Sequence, residues 1–301
     1  MRIDWALVSG MGLRSAMASV CHADRGGVWS ATLTAVPMID GPDCGLWVEV
    51  EGSGEPVTVF AHGVTSSIAE LEPLAARAPG TRVLFDFRGH GRSESPDESA
   101  GYDHAAMRRD LELVTKRYEA TQAFGISMGA GAILGLLEDE PDRFRRLAFF
   151  IPASLDGPNE GSPTVFPALA HLLETYPLDE VVARTIDAPA QSLLFEKRPY
   201  WRALWRQRIL RMNRDGVPRA LRAYVSGTFP VRNADALRRV DAPALILAHE
   251  SDPIHDAAVA RRLASLLPNA TLRVWPEPLA MYDDLGSFAA LIGAFLSGSD
   301  V

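Results

Sequence analysis

The chain of 301 residues is 47% hydrophobic and 23% charged, which supplies enough apolar material for one large α/β domain, or for one domain with an insertion. Its formal net charge of −8 disfavours non-specific binding to nucleic acid, and no apolar run approaches the about 20 residues that a membrane span needs. Only two cysteines occur, Cys21 and Cys44, without metal-ligand spacing, and the N-terminus lacks a secretory signal pattern, so we expect a cytoplasmic protein.

Residues 1–40 show no sustained periodicity and are predicted to be an N-terminal extension without chemistry of its own. An ordered extension, a flexible arm and a stretch upstream of an alternative start at Met38 all fit this composition. From Gly45 onwards, short apolar strands alternate with amphipathic helices. Before the central motif, strands are predicted over residues 46–50, 57–60, 82–86 and 121–124, and helices over residues 68–78 and 104–118.

A G-x-S-x-G motif, Gly125-Ile126-Ser127-Met128-Gly129, lies between a predicted buried strand and a helix predicted over residues 131–137. This context of strand, turn and helix is typical of a nucleophile elbow, in which the serine at the apex is pushed clear of the backbone. The two glycines let the turn tighten, and the helix N-terminus offers free N–H groups to a developing oxyanion. A helix start rich in small residues is the alternative interpretation. The pattern makes Ser127 the candidate nucleophile.

After a predicted strand over residues 147–151, the alternation stops, and residues 156–240 are predicted to be helical and punctuated by prolines. Between Lys197 and Arg222 this segment holds nine basic residues against the single acid Asp215. A solvated helical face is one interpretation. The other is a lid whose basic and aromatic residues contact an anionic substrate or peptide, which makes Trp201 and Trp205 candidate substrate contacts.

The strand pattern resumes at residues 244–248 and 271–275, with helices predicted over residues 257–267 and 285–296. Continuous apolar strands that alternate with helices predict an α/β fold with a mainly parallel sheet covered on both faces. We therefore predict a core formed by residues 41–155 and 241–301, into which residues 156–240 are inserted as a helical lid.

Several landmarks follow one another in this predicted core. They are His62-Gly63 after one strand, residues 86–93 after the next, the motif around Ser127, and Ser251-Asp252-Pro253 after a late strand. In this order they resemble the α/β-hydrolase fold, and the resemblance covers residues 45–297. The family usually carries a helical insertion where residues 156–240 lie.

The resemblance implies a role for each matching position. Ser127 is expected to attack the substrate, and Asp252 is expected to orient a histidine. The backbone N–H groups of Val64 and Met128 are expected to form the oxyanion hole. His62 is expected beneath the oxyanion loop, either as a structural residue or in contact with the substrate. Neither a metal nor an organic cofactor is implied.

The chain departs from this family where the catalytic histidine should follow the last strand. That residue should fall near positions 279–281, but no histidine occurs after His255. The departure matters because a serine hydroxyl is a weak nucleophile unless an adjacent base activates it. His255, three residues after Asp252, is the candidate replacement. The alternative interpretation of His255 is a solvent-facing residue at a helix start.

Three hypotheses follow. The first is a serine hydrolase that uses Ser127, Asp252 and His255 on an ester, lactone or amide, with a small molecule or a peptide as substrate. The second is non-hydrolytic catalysis on a carboxylate-bearing peptide, as in the epimerase of bottromycin biosynthesis, an atypical member of the fold without a working triad. The third is a ligand-binding protein without catalysis. Because Ser127 and Asp252 are both retained, we predict the first.

Overall fold

The computed structural model describes residues 38–97, 101–158, 162–186, 199–252, 254–278, 280–299 and 301. Nearly all of the predicted N-terminal extension, residues 1–37, therefore lies outside the described part. Residues 38–40, which end that predicted extension, form a short strand. Three residues are too few to show a periodicity, and pairing with the next strand is what makes this segment extended.

The described part contains eight strands in one sheet: β1 (Met38–Asp40), β2 (Gly45–Gly52), β3 (Val57–Ala61), β4 (Thr81–Phe85), β5 (Gln122–Ile126), β6 (Arg146–Phe150), β7 (Ala244–His249) and β8 (Ala270–Trp275). Their spatial order is β1-β2-β4-β3-β5-β6-β7-β8. β2 runs antiparallel to both β1 and β4, and the other neighbouring pairs are parallel. The prediction of a mainly parallel sheet is confirmed.

The described helices are α1 (Ile68–Ala75), α2 (His104–Arg117), α3 (Met128–Asp139), α4 (Ser162–Thr175), α5 (Leu178–Thr185), α6 (Pro199–Leu210), α7 (Gly216–Ala223), α8 (Ala257–Leu266) and α9 (Leu285–Leu296), with 3₁₀ turns at Ala234–Arg239 and Ala280–Asp284. None of these helices is long and apolar enough to cross a membrane. α1 and α9 pack on one face of the sheet, and α2, α3 and α8 pack on the other. The predicted cover on both faces is confirmed.

Side chains alternate between the two faces along each central strand, as the two-residue period of a strand requires. Phe60 and Phe124 are partners in the parallel register of β3 and β5, and they pack towards α1 and α9 with ring centroids 5.5 Å apart. The preceding residues, Val59 and Ala123, pack towards α2 and α3. All four side chains are fully buried, which explains why the strands read as continuous apolar runs.

β3 lies where the strand order reverses. β4 neighbours it on one side, and β5 begins the run to the opposite edge on the other. In open α/β sheets, ligands bind outside the carboxyl ends of the strands at such a switch point. β3 ends at Ala61 and β5 ends at Ile126. The residues that follow these strands, including Val64 and Ser127, therefore meet at the crevice.

The helices α4 to α7 lie between β6 and β7 in the chain, within the segment predicted as a lid. Several of its arginines bind other parts of the protein. Arg208 pairs with Glu70 of α1, and Arg222 forms two hydrogen bonds with Glu174. Arg214 donates to two backbone carbonyl oxygens at the end of α4. These contacts anchor the inserted helices. They also occupy some of the arginines that the sequence suggested as contacts for an anionic substrate.

A buried arginine anchors the loop that follows β4. The side chain of Arg88 is 1% exposed, and its Nη2 atom lies 2.6 Å from Asp110 Oδ1 and 2.8 Å from Asp43 Oδ2. Its Nε–H and its backbone N–H also donate to the Asp110 carboxylate. These bonds hold the loop against α2 on one side and against the β1–β2 connection on the other.

Replacing Arg88 with methionine should destabilise the protein by about 3–5 kcal/mol, because the buried Asp110 carboxylate would lose its charged partner. Urea unfolding at neutral pH measures this change in the free energy of unfolding. As a control, Arg222→Ala breaks an exposed ion pair and should change that free energy by at most about 1 kcal/mol. Equal effects of the two substitutions would contradict the anchoring role of Arg88.

Candidate active site

Ser127 occupies a strained turn between β5 and α3. Its φ of 48° and ψ of −106° lie outside the regions that residues with a Cβ atom normally adopt. The turn is tight, since a Cβ atom on Gly129 would lie 2.2 Å from the Ala61 carbonyl oxygen, and one on Gly125 would lie 2.6 Å from the Ala130 nitrogen. Gly129 therefore allows the start of α3 to pass close to β3, and Gly125 allows the end of β5 to pass close to the start of α3.

The hydroxyl of Ser127 is directed away from its own helix. Ser127 is the N-cap residue of α3, a position where a serine side chain usually accepts an N–H of the first turn, but it makes no such bond. Its Oγ atom instead lies 3.0 Å from His255 Nε2. The two residues are 128 positions apart, so the fold alone creates this contact.

Asp252 and His255 lie in the loop between β7 and α8, where Asp252 uses both of its carboxylate oxygens. Oδ1 accepts the backbone N–H groups of Ile254 at 2.8 Å and of His255 at 3.1 Å, which closes a tight turn. Oδ2 lies 2.9 Å from His255 Nδ1. The turn therefore brings the imidazole of His255 back to the carboxylate three residues before it.

These contacts select one tautomer of His255. A carboxylate only accepts hydrogen bonds, so Nδ1–H donates to Asp252, and Nε2 is left to accept from the Ser127 hydroxyl. Burial alone would raise the pKa of Asp252, but the hydrogen bond and charge of His255 and the Ile254 N–H outweigh burial and hold the pKa well below its usual value. Asp252 is therefore ionised at neutral pH, and the arrangement can draw the Ser127 proton towards Nε2.

The chain after β8, where the family resemblance places the histidine, contributes aromatic packing. In the described residues 280–284, a 3₁₀ turn begins at Ala280. The ring of Tyr282 lies 4.7 Å from that of Trp201 and 5.8 Å from that of Phe150, measured between centroids. Trp201 and Phe150 belong to an inserted helix and to β6, so this stretch joins the insertion to the sheet.

Val64 and Met128 line the same cavity as Ser127. Met128 is the first residue of α3, where a backbone N–H has no acceptor within the helix. The loop that carries Val64 is held by His90, whose Nε2 atom lies 2.6 Å from the Val64 carbonyl oxygen. Both predicted oxyanion residues thus flank the serine, and their role as oxyanion donors stays a prediction.

His62 lies beneath the same loop and is fully buried. Its Nδ1–H donates to the Gly63 carbonyl oxygen at 2.8 Å, and its Nε2 accepts the N–H of Phe87 at 3.1 Å. Burial lowers the pKa of His62 to about 4, which keeps the ring neutral, in keeping with one donor and one acceptor nitrogen. Because both nitrogens are engaged within the protein, this geometry favours the structural interpretation of His62, and a contact with the substrate stays an untested prediction. His62 joins the loops that follow β3 and β4.

Trp201 and Trp205, the predicted lid contacts, line a second cavity of about 110 Å³, which they share with Glu70 and Arg208. The side chain of Trp201 is buried and packs edge-on against Tyr282. Among the described residues, neither tryptophan lines the cavity that holds Ser127. This geometry does not indicate a contact with a substrate bound at the serine, and the role of the two tryptophans as substrate contacts stays a prediction.

Four polar residues near the site were not assigned to it from the sequence. His249, the last residue of β7, is fully buried, with its Nε2 atom 3.5 Å from Asp252 Oδ2. His104, Tyr224 and Thr228 line the Ser127 cavity, one from the start of α2 and two from the chain after α7. His249 could have been assigned to the site from the sequence, because it lies at the carboxyl end of a predicted strand. No local spacing links the other three to the elbow.

Gly129→Ala should disrupt the elbow, because the added methyl group would have to displace the β3 backbone at Ala61. We expect a loss of roughly 1–3 kcal/mol or more in the free energy of unfolding, as in other overpacked positions. Circular dichroism and urea unfolding measure it. Gly157→Ala, where a Cβ atom would meet no atom within 4 Å, is the control and should stay within about 0.5 kcal/mol of the wild type. If Gly129→Ala had the same free energy of unfolding as the wild type, the tight approach of the elbow to β3 would be refuted.

The stability that Asp252 contributes should depend on pH. Its folded pKa is depressed below the unfolded value of about 3.9, so the contribution is fully present above that value and is lost as the pH falls through the folded pKa. The difference in unfolding free energy between the wild type and Asp252→Asn should be largest near neutral pH and should shrink below about pH 4. Urea unfolding across this range tests the expectation, and a difference that does not change with pH would contradict it.

Comparison with known proteins identifies hydrolases among the relatives of this chain. A 2-(acetamidomethylene)succinate hydrolase of Mesorhizobium japonicum is 28% identical over 197 residues, which cover 64% of this chain and 55% of that protein. The dihydrolipoyllysine-residue acetyltransferase component of the acetoin cleaving system of Cupriavidus necator is 27% identical over 266 residues, which cover 82% of this chain and 65% of that protein. The chain therefore spans between half and two thirds of the length of these curated relatives.

Among solved structures, the enol-lactonase of Burkholderia xenovorans aligns with a TM-score of 0.70 at 20% identity, covering 87% of this chain and 100% of that one. At this identity the likeness concerns the fold. Residues 58–281 match the sequence profile of the Alpha/beta hydrolase family, which is most of the chain. With the eight-stranded, mostly parallel sheet and the helices on both of its faces, this match shows that the protein belongs to the Alpha/beta hydrolase family.

Proposed function

We propose that this protein is a serine hydrolase that cleaves an ester, lactone or amide, with Ser127 as nucleophile, His255 as general base and Asp252 as the carboxylate that orients it. One observation carries the proposal. It is the continuous chain of contacts from Ser127 Oγ to His255 Nε2 at 3.0 Å and from His255 Nδ1 to Asp252 Oδ2 at 2.9 Å. A histidine held in this way by a carboxylate is the arrangement that activates a serine hydroxyl.

In the first step, Ser127 Oγ attacks the carbonyl carbon of the substrate while His255 Nε2 takes the hydroxyl proton. The negative charge that develops on the carbonyl oxygen is stabilised by the N–H groups of Val64 and Met128. Asp252 stabilises the imidazolium that forms on His255.

In the next step, His255 returns its proton to the leaving oxygen or nitrogen, and the bond to the leaving group breaks. The acyl group is then held as an ester on Ser127. A water molecule, deprotonated by His255, attacks this ester, and His255 passes the proton to Ser127 Oγ as the bond between the acyl carbon and Oγ breaks. The products are a carboxylic acid and the free serine, and a lactone yields a single hydroxy acid.

The hydrolase class is supported by the names of the similar proteins, which include a succinate-derivative hydrolase and an enol-lactonase. We do not propose that this chain shares the substrate of the succinate-derivative hydrolase. A succinate derivative brings carboxylate groups, whereas none of the described residues that line the Ser127 cavity is a lysine or an arginine. Burying a carboxylate without a cation is unfavourable.

The epimerase and ligand-binding hypotheses both depended on the lack of a base for Ser127. A histidine 3.0 Å from Ser127 Oγ weighs against both of them. The anionic peptide expected by the epimerase hypothesis also finds no basic side chain among the described residues of the cavity. A cytoplasmic location, and the absence of nucleic-acid and membrane partners, stay predictions.

A fluorophosphonate probe should label the wild type with one probe per chain, as measured by intact mass, and should not label Ser127→Ala. His255→Ala should slow both labelling and ester hydrolysis by about 10⁴-fold or more, because the serine loses its base. The double variant should hydrolyse esters no more slowly than either single variant, since the two residues act as a unit.

His171→Ala is the matched control, because His171 is an exposed histidine on α4, and it should react at the wild-type rate. A folded wild type that takes up no probe would refute the hydrolase proposal. Labelling of His255→Ala at the wild-type rate would show that another group is the base, and the proposed triad would then fail.

A further inference from the structure

The cavity in front of Ser127 has a volume of about 90 Å³ and a lining of mixed character. Its apolar part is contributed by side chains that include Val64, Met128, Phe166 and Val225. Its polar part includes His104, Tyr224 and Thr228. A mainly apolar pocket with a few convergent polar groups is the usual form of a small-molecule site.

Each of these three polar residues carries a buried atom without a hydrogen-bond partner in the described part of the chain: Nδ1 of His104, Oη of Tyr224 and Oγ1 of Thr228. His104 is 7% exposed, and its ring lies 4.2 Å from the Tyr224 ring, measured between centroids. Buried polar groups are normally paired, so three unpaired atoms in one cavity call for a partner from outside the chain. Ser127 lines the same cavity. The partner of the three polar atoms is therefore expected to be a polar group of the bound substrate.

The space in front of His104 is kept open by Gly131 in the first turn of α3. A Cβ atom on Gly131 would lie 3.6 Å from His104 Nδ1 and 3.1 Å from Pro230 Cγ. Both Gly131 and Pro230 line the cavity. An atom of a bound molecule can therefore approach Nδ1 where a side chain would otherwise stand.

The three polar groups are uncharged at neutral pH. Burial lowers the pKa of His104 to about 4 and raises the pKa of the Tyr224 phenol well above its usual value. None of the described residues that line the cavity is a lysine, arginine, aspartate or glutamate. A charged substituent would lose its hydration here without gaining a counter-charge, so the cavity favours a neutral polar group.

We propose that Tyr224, Thr228 and His104 form a polar subsite that binds a carbonyl oxygen on the acyl part of the substrate, so that the enzyme acts on neutral esters or lactones whose acyl chain carries a keto group. This proposal rests on the proposed hydrolase function and names the substrate class of the same site. The hydroxyls of Tyr224 and Thr228 and the Nδ1–H of the neutral His104 donate to the carbonyl oxygen, and the apolar part of the cavity holds the chain. An acyl chain without that carbonyl leaves the buried hydroxyls unpaired, which is why such sites discriminate strongly.

The first test compares two 4-nitrophenyl esters that differ by one carbonyl group, the 4-oxopentanoate and the pentanoate. The wild type should show a kcat/KM for the keto ester at least about tenfold higher, after correction for spontaneous hydrolysis. Tyr224→Phe should reduce this preference by about tenfold. Tyr118→Phe is the matched control, since Tyr118 caps α2 away from the cavity, and it should keep the wild-type preference. Equal kcat/KM values for the two esters in the wild type overturn the subsite.

Thermal unfolding shows whether the hydroxyl of Tyr224 acts in substrate binding or stabilises the fold. Tyr224→Phe should keep or raise the Tm, because the hydroxyl that it removes has no partner in the described part of the protein. A lower Tm would show that the hydroxyl supports the fold, and it would overturn the proposal. Thr228→Val, which removes the second hydroxyl at nearly constant shape, should also reduce the preference for the keto ester, as Tyr224→Phe does.

Binding can be measured without catalysis in Ser127→Ala. Methyl 4-oxopentanoate should shift the ¹⁵N resonance of His104 Nδ1, and methyl pentanoate should leave it in place. No shift with the keto ester overturns the subsite, even if the wild type is labelled at Ser127. A retained shift in a protein that takes up no fluorophosphonate supports the subsite and refutes the hydrolase proposal, so the two failures are distinguishable.

Discussion

Both carboxylate oxygens of Asp252 are engaged, one by the backbone and one by an imidazole, and the rest of the candidate site depends on this. Oδ1 accepts the N–H groups of Ile254 and His255, and Oδ2 holds Nδ1 of the same His255. Because one short turn supplies both the carboxylate and the histidine that contacts Ser127, the base that we propose comes from the chain before α8 and not from the chain after β8. The chain after β8 contributes Tyr282, whose ring packs against Phe150 of the sheet, Trp201 of the insertion and Phe288 of α9.

The described residues that line the cavity in front of Ser127 are uncharged, and several arginines of the inserted helices bind other parts of the protein. Burial keeps the rings of His62 and His104 uncharged, with pKa values of about 4. Arginines of the inserted helices bind carboxylates such as Glu70 and backbone carbonyl oxygens. A neutral cavity of fixed dipoles suits a reaction in which one negative charge develops at the oxyanion and one positive charge on His255. The same lining agrees with the neutral substrate that we propose, and not with the anion that the basic sequence of the insertion suggested.

Much of the fold could be predicted because it depends on residues close together in the chain. Apolar strands, helical periodicity and the two glycines around Ser127 predict the sheet, its helical cover and the elbow, and the structure has these elements with ends shifted by a few residues. The helix predicted to end at Ala78, for example, ends at Ala75. β1 could not be predicted, since three residues become a strand only through their partner Trp47 and its neighbours. His255 was a candidate because it follows Asp252 by three residues, but sequence spacing could not show which way its ring points.

By itself, the sequence determined that a serine stands at a strand–turn–helix junction and that Asp252 and His255 share one loop, because local backbone preferences act over a few residues. Only the tertiary structure decided that His255 Nε2 lies 3.0 Å from Ser127 Oγ, across 128 positions of sequence. It also decided that Trp201 lines a different cavity from Ser127, and that Tyr224 lines the same one. Such placements depend on how side chains from distant elements converge at the switch point of the sheet. The periodicity of apolar residues predicts which face of a helix or strand is buried, but it does not predict which distant element packs against that face.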